Sequence, residues 1–263
     1  MKLLTLNCHS WQEKEQIEKI KYLAKTVVEE DYDVIALQEA SQSIEAEVKY
    51  DNIKEDNYGL LLIEEIEKLG GAKYHLAWDF SHIGYDIYEE GSCIITKHKI
   101  VDSKSFYISQ NESKTFWKSR KIIKATVEIE EENIDFYSCH MGWWKDEEES
   151  FVVQVKNLLS QATESKNRAF FMGDFNNNAF LKNEGYDFLK SNGLIDTFNL
   201  AKVKDSGVTV KENIAGWDDN TEELRIDIIF TNKETDVEES KVIFNGENKK
   251  IISDHFGVYI LLK

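Results

Sequence analysis

Arg168-Ala-Phe-Phe-Met-Gly173-Asp174-Phe-Asn176-Asn177 is the stretch on which the reading of this 263-residue chain turns. The apolar run from Ala169 to Met172 predicts a strand buried on both faces. Gly173 allows a sharp backbone turn at its end. Asp174 and Asn176 follow, two residues apart, and alternate side chains of an extended backbone point the same way, so both are expected to face one cleft. A carboxylate buried beside an apolar strand costs several kcal/mol unless a cation or hydrogen-bond donors compensate it. The alternative for this segment alone is an Asx turn closing a hairpin.

The same pattern recurs along the chain. Asp33-Val-Ile-Ala-Leu-Gln-Glu39 is an apolar strand ending in a carboxylate, and Ile134-Asp-Phe-Tyr-Ser-Cys-His140 is one ending in an imidazole. Arg225-Ile-Asp227-Ile-Ile-Phe230 and Ser253-Asp254-His255, which leads into Gly257 to Leu262, are strands that begin with acids. In a mixed sheet the ends of some strands lie beside the starts of others, so these groups can share one rim. Lys2 to Leu6 alternates into a strand that delivers Asn7. Apolar positions from Ile17 to Val28 then recur at helical spacing. Strand, helix and the Asp33 strand make a right-handed βαβ unit, with Asn7 and Glu39 at the same end of parallel neighbours.

Elsewhere the pattern predicts a polar excursion with some helix over 41–57, and a helix over 57–69 stopped by Gly70-Gly71. A strand is expected over 73–78, then an irregular aromatic-rich segment over 79–90. Strand resumes over 91–96, which places Glu90 at its entrance. Further strands are expected over 100–109 and 121–130, a helix over 151–163, a short helix over 186–191 and final strands over 241–244 and 251–263. Residues 205–224 read as a long polar loop, and a loop of that length beside a cleft is more often functional than idle.

Length and composition fit one catalytic domain spanning residues 1–263, with no proline, no low-complexity linker and no solenoid repeat. The formal charge of -17, from 32 basic and 49 acidic residues, argues against long polyanions as partners, because nucleic-acid binders usually carry a basic face. Lys118, Arg120, Lys121 and Lys124 form the densest basic cluster. Cys8, Cys93 and Cys139 lack metal-ligand spacing and read as small buried hydrophobes. The N-terminus is too soon polar for a signal peptide, and no apolar run approaches the roughly 18 residues of a membrane span, so the expected location is cytoplasmic.

Glu39, Asp174, Asn176, Asp227 and Asp254 offer only oxygen donors, which implies a hard cation, magnesium or manganese. Such an ion neutralises charge building on phosphorus and helps a water attack. His140 and His255 add groups able to bond phosphate or exchange protons, with Asp227 and Glu90 as candidate carboxylate partners for an imidazole. Hydrolysis of a phosphate ester is the chemistry this set supports. No G-x-S-x-G or Cys-His pattern argues for a covalent nucleophile.

Taken in order, Leu-Asn7, Leu-Gln-Glu39, Glu90-Gly-Ser-Cys-Ile-Ile-Thr, Ser-Cys-His140, Gly-Asp174-Phe-Asn176, Arg225-Ile-Asp227 and Ser-Asp254-His255 resemble the endonuclease/exonuclease/phosphatase superfamily of DNase I-like enzymes. The resemblance implies an α/β four-layer sandwich, two facing mixed sheets with helices outside. It implies Glu39 as principal magnesium ligand assisted by Asn7, Asp174 as the group that orients or deprotonates water, and Asn176 as holder of a phosphate oxygen. It pairs His255 with Asp227, makes Asp254 a ligand or a partner in that network, and places His140 as a second imidazole with Glu90 as its partner. Trp143, Trp144 and Trp217 lie near motif ends, where aromatic faces stack on sugar rings, and Lys118 or Arg120 can bond a phosphate. The segments Leu-Asn7-Cys-His-Ser-Trp11, His140-Met-Gly-Trp-Trp144 and Gly216-Trp-Asp-Asp-Asn220 are similar to those of bacterial sugar-phosphate phosphatases that dephosphorylate maltose 6'-phosphate. That likeness implies a phosphomonoesterase of a small phosphosugar; the alternative is a magnesium-dependent endonuclease or a sphingomyelinase-like phosphodiesterase using the same residues.

Overall fold

The alternation of side chains along the central strands sorts the apolar residues into three layers. On the strand Val34–Gln38, Ile35 and Leu37 join Leu4, Leu6, Ile95 and the helix residues Leu23 and Ile66 in one cluster. Val34 and Ala36 point the other way, into a second cluster with Ile94, Phe136, Phe170 and Met172. Tyr137, Phe171 and Phe230 face a third, closed by Phe151, Val155 and Leu158 of a helix. These central strands are therefore buried on both faces, and the layers stack as helices, sheet, sheet, helices. This is the α/β/β/α sandwich expected from the sequence.

The computed structural model describes residues 1–217 and 220–263; Asp218 and Asp219 of the Gly216-Asn220 motif lie outside the described residues. One mixed sheet runs in the order Val203–Lys204, Val237–Ile243, Gly257–Leu262, Lys2–Asn7, Val34–Gln38, Tyr88–Thr96 and Gln42–Ser43, with His75–Gly84 paired along Tyr88–Thr96. The other runs Ile195–Asp196, Asp227–Thr231, Arg168–Asp174, Glu132–His140, Lys121–Ile129 and Lys99–Tyr107. Lys2–Asn7 and Val34–Gln38 are parallel, with Asn7 opposite Gln38, and the intervening helix is Gln16–Glu30. Glu132–His140 and Arg168–Asp174 are likewise parallel, with His140 opposite Asp174. Two parallel pairs thus end at the same edge of the sandwich, where open α/β sheets bind ligands.

The inter-sheet layer turns polar as it nears that edge. Gln38 donates to Ser138 Oγ at 2.9 Å, and Ser138 in turn donates to the Leu37 carbonyl at 3.0 Å. These buried bonds tie one sheet to the other directly beneath the strand ends. Gly173 is required here by close approach: a Cβ on it would meet the Cys139 carbonyl oxygen at 1.9 Å, and its φ is +150°. All three cysteines are free and buried.

Two stretches differ from the sequence reading. Residues 79–90 are ordered strand, the arms His75–Gly84 and Tyr88–Thr96 meeting at a tight turn in which Ile87 N–H donates to Gly84 O at 3.0 Å. A bulge between Phe80 and His82 breaks the two-residue alternation, which hid the strand from a periodicity argument. Residues 41–57 hold no helix among the described residues; they form the short strands Gln42–Ser43, Val48–Tyr50 and Ile53–Lys54. No helix is long and apolar enough to cross a membrane among the described residues.

Candidate active site

At the common edge the strand-end groups meet. Asn7 Nδ2 donates to Glu39 Oε1 at 2.8 Å and to Asp174 Oδ2 at 3.2 Å, bridging the two sheets. His140 Nε2 lies 3.9 Å from Glu39 Oε1 and 3.8 Å from Asp174 Oδ2. His255 Nε2 is 3.8 Å from the same Asp174 oxygen, while its Nδ1 donates to Asp227 Oδ2 at 2.9 Å. Asp174 stands opposite Asp227 in the antiparallel ladder, which is why one imidazole can touch both carboxylates. Asp254 and His9 complete this floor, His9 Nδ1 lying 2.9 Å from Glu13 and 3.6 Å from Asp254. Glu39 and Asn176 both have positive φ, 52° and 49°, a backbone setting uncommon outside glycine and enriched at functional sites.

The Asx turn weighed for Asp174 is present together with the cleft. Asp174 Oδ1 accepts the Asn176 backbone N–H at 2.8 Å, leaving Oδ2 toward the hollow. Asn176 is oriented differently from the expectation. Its Nδ2 donates to the Met141 carbonyl at 3.0 Å and to Asp174 Oδ2 at 3.3 Å, and its Oδ1 accepts the Trp217 indole N–H at 3.1 Å. With both amide hydrogens engaged, Asn176 holds Asp174 rather than offering a free donor to a phosphate.

Glu90 is the second correction. Its Oε1 lies 3.4 Å from His82 Nε2, across the hairpin, and His82 and Glu90 are register partners there. The carboxylate partner assigned to His140 is therefore taken by a different imidazole. His82 is 3% exposed, and its irregular-looking segment carries no strand-end signal that would mark it. The hollow of about 270 Å³ above the floor is also lined by Tyr85, Trp117, Ile214 and Ala215, four residues that no strand-end pattern marks.

The charges of the cleft are strongly displaced. Burial, then the negative charges of Glu90 and Asp254, push the Glu39 carboxyl up to about 7, although 23% of its side chain remains open to the cleft. Burial likewise raises Asp174 to about 7, opposed by His255 and reinforced by Asp227. Burial alone would lower His255, but Asp227 and then Asp174 outweigh it and hold the imidazolium well above its ordinary range. His140 goes the other way: burial and then Arg120 hold it neutral, well below its ordinary range.

Arg120, 3% exposed, faces these groups from the opposite wall. Its Nη1 donates to the Trp117 and Ser119 carbonyls at 2.9 and 3.2 Å, and its Nε finds no partner among the described residues. The other candidate substrate residues divide. Trp143 lies 5.7 Å beneath the Arg120 guanidinium and lines both the cleft and an adjoining hollow of about 630 Å³. Trp217 lines only that second hollow. Trp144 packs edge-on to Phe151 at 6.0 Å and against Phe188 at 5.7 Å on the helix-side core, and it also lines the second hollow. Lys118 is ion-paired to Asp146 at 2.8 Å and Glu148 at 2.6 Å, on the rim of the second hollow and away from the acids. Arg225 forks onto Asp196 at 2.8 and 2.9 Å, buried on the far side of Asp227's strand.

The donor set fits a divalent cation. Glu39, Asp254 and the Asn7 carboxamide oxygen are hard oxygen donors, and the mutual repulsion that raises Glu39 is the repulsion a cation relieves. Among the described residues two groups bring three ligand atoms close enough to share an ion: His9, Glu13 and Asp254, and Asp174, Asp227 and His255, the latter already internally hydrogen-bonded.

A profile of the Endonuclease/Exonuclease/phosphatase family matches residues 5–255. The chain belongs to that family. An endonuclease/exonuclease/phosphatase family protein from Leptotrichia buccalis is 42% identical, covers 100% of this chain and 99% of its own, and superposes with a TM-score of 0.94. A mannosyl-6-phosphatase from Bacteroides thetaiotaomicron shares the fold at 18% identity and TM-score 0.73, covering 100% of this chain and 99% of its own. The beta toxin of Staphylococcus aureus, solved with bound magnesium ions, does so at 13% identity and TM-score 0.68, with 100% and 99% covered. No curated protein matches. Membership makes the chain a hydrolase of the phosphate-ester class.

Proposed function

We propose that this hydrolase is a divalent-cation-dependent phosphomonoesterase that releases phosphate from a small phosphorylated sugar, with maltose 6'-phosphate the first substrate to try. The observation that carries this reading is the two-sided cleft. Acids gather on its floor, and the buried Arg120 guanidinium lines the same hollow of about 270 Å³. That volume holds a phosphoryl group and the part of the substrate next to it, and the adjoining tryptophan-lined hollow suits the rest of a sugar. The mannosyl-6-phosphatase of the same fold is consistent with such a substrate. The net charge of -17 speaks against a duplex.

In this reading Glu39, with Asp254 and the Asn7 oxygen, holds magnesium or manganese. When bound, the cation would supply charge neutralisation at the phosphoryl oxygens. Asp174, placed near neutral pH by its burial, takes a proton from the attacking water. His255, kept as imidazolium by Asp227, donates to a phosphoryl oxygen, and Arg120 donates to another from the opposite wall. His140, neutral beside Asp174, orients the water or the ester oxygen through Nε2. Water attacks phosphorus directly, the bond from phosphorus to the sugar oxygen breaks, and that oxygen takes up a proton from solvent to leave as the free hydroxyl.

The test is phosphate release from maltose 6'-phosphate, mannose 6-phosphate and glucose 6-phosphate, beside plasmid DNA and sphingomyelin, each with Mg²⁺ or with EDTA. Phosphate release that EDTA abolishes is the expected result. Plasmid nicking or sphingomyelin cleavage without phosphate release from any sugar would replace the reading with a phosphodiesterase.

A further inference from the structure

The loop over 205–224 touches the catalytic frame at three separate points. Thr209 Oγ1 accepts the backbone N–H groups of Ile226 and Asp227, both at 3.2 Å. The Thr209 carbonyl accepts Phe256 N–H at 2.8 Å, beside His255. Trp217 Nε1–H donates to Asn176 Oδ1 at 3.1 Å. The loop base is closed by paired bonds between Val210 and Leu224, and its apolar side chains Val210, Ile214, Leu224 and Ile226 form their own small core with Trp217 packed on it. Gly216 lets the chain cross Trp143: its φ is +81°, and a Cβ there would meet the Trp143 ring at 2.3 Å. Trp217 is therefore held by packing on one side and by one hydrogen bond on the other.

That hydrogen bond has a chemical consequence. A carboxamide reads differently after a half-turn about its last bond, and the observed orientation is the one that aims Nδ2 at both Met141 O and Asp174 Oδ2. The indole N–H is a donor only, so it accepts no alternative but an oxygen facing it. Asn176 is 4% exposed, so losing this donor leaves a buried oxygen unpaired, and the amide loses one of the three contacts that fix its sense, the only one of them made to Oδ1.

We propose that Trp217 is a positioning residue for Asp174, acting through the side-chain amide of Asn176, and that it couples the tryptophan-lined hollow to the hydrolytic cleft. A ring seated in that hollow touches the same indole whose N–H orients Asn176. Contacts made far from phosphorus then act on turnover as well as on binding. The kinetic half of this proposal rests on the water-activating role given to Asp174; the hydrogen-bond half does not.

Two measurements on the full chain decide it. The Asn176 side-chain amide, assigned by its disappearance in Asn176→Ser, is followed by hydrogen exchange in wild type and in Trp217→Phe, which keeps a ring but removes the N–H. Exchange about tenfold faster in Trp217→Phe is expected, the scale of one lost buried hydrogen bond. Unchanged exchange overturns the proposal whatever the enzyme hydrolyses. Kinetics with p-nitrophenyl phosphate and maltose 6'-phosphate then read the coupling. Trp217→Phe is expected to lower kcat about tenfold on both while leaving KM for p-nitrophenyl phosphate unchanged, and to slow Asn176→Ser no further in the double variant. Multiplying effects in the double variant, or a raised KM for maltose 6'-phosphate with kcat intact, would reduce Trp217 to a stacking surface. If wild type hydrolyses neither ester, the phosphatase reading fails while the exchange result stands by itself.

Discussion

Asn7, Glu39, His140 and Asp174 stand at the ends of four strands from two sheets, whereas Tyr85, Trp117, Arg120 and Ala215 reach the same hollow from three separate connections. The floor inherits its geometry from ladder registers: Asn7 opposite Gln38, His140 opposite Asp174, Asp174 opposite Asp227. Shifting any of these by one residue would turn a whole strand inside out, so the floor is as rigid as the core beneath it. The walls are fixed by individual turns, caps and packed aromatics. The charges follow the same division, with acids on the floor and the Arg120 guanidinium on a wall. Floor residues should therefore govern whether the reaction occurs, and wall residues what it occurs on.

Glu39→Gln should break the floor most severely. It preserves shape and the Asn7 hydrogen bond but removes the cation's anchoring charge, and turnover should fall about a thousandfold or more, the scale of losing a preorganised electrostatic group. The same substitution should raise stability in EDTA. The folded-state pKa of Glu39 is raised from 4.5 to about 7, so across that window the folded chain keeps a proton that the unfolded chain has released. Stability then falls as pH rises, and Gln abolishes that loss. Thermal unfolding in EDTA should show Glu39→Gln melting above wild type, with a small gap near about pH 5 and a larger one near about pH 8. Adding Mg²⁺ should close the gap from the wild-type side. A variant that melts below wild type at both pH values would show that Glu39 is stabilising without a cation, contrary to the crowding of carboxylates around it.

The floor was legible because strand-end chemistry leaves a sequence trace: an apolar run, then an acid, amide or imidazole. The two-sheet layering was legible for a related reason, since runs such as Ile35-Ala-Leu37 and Ala169-Phe-Phe-Met172 are apolar on both faces. The walls leave no such trace. His82 sits past a bulge that shifts the alternation, and the turn at Tyr85-Asp86 uses two residues at positive φ, 52° and 58°, without the glycine that usually marks such a hairpin. Glu90 ends up beside His82 rather than His140, because sequence order cannot say which of two histidines lies across a hairpin. Trp144 and Trp217 look alike in sequence; only packing separates a core ring from one whose N–H reaches Asn176.

Arg120→Lys tests the wall more sharply than truncation would. Lysine keeps the charge but has neither the planar guanidinium nor the Nη1 that now donates to two carbonyls. In kcat/KM for a phosphosugar a loss of about ten- to a hundredfold is expected, with the metal requirement unchanged. A loss as deep as that of Glu39→Gln would erase the distinction between floor and wall.

Lys118→Ala should do the least, and the reason is geometric. The basic cluster that drew attention in the sequence splits in space, Arg120 turning into the cleft and Lys118 outward to Asp146 and Glu148. An ammonium already shared between two carboxylates has little attraction left for a phosphate. Phosphate release should stay within about twofold of wild type, because the lost pair lies outside the field that acts on phosphorus. A drop comparable to that of Arg120→Lys would mean that the substrate's phosphate enters from the tryptophan-lined hollow rather than lodging above Glu39, and the assignment of the two hollows would have to be exchanged.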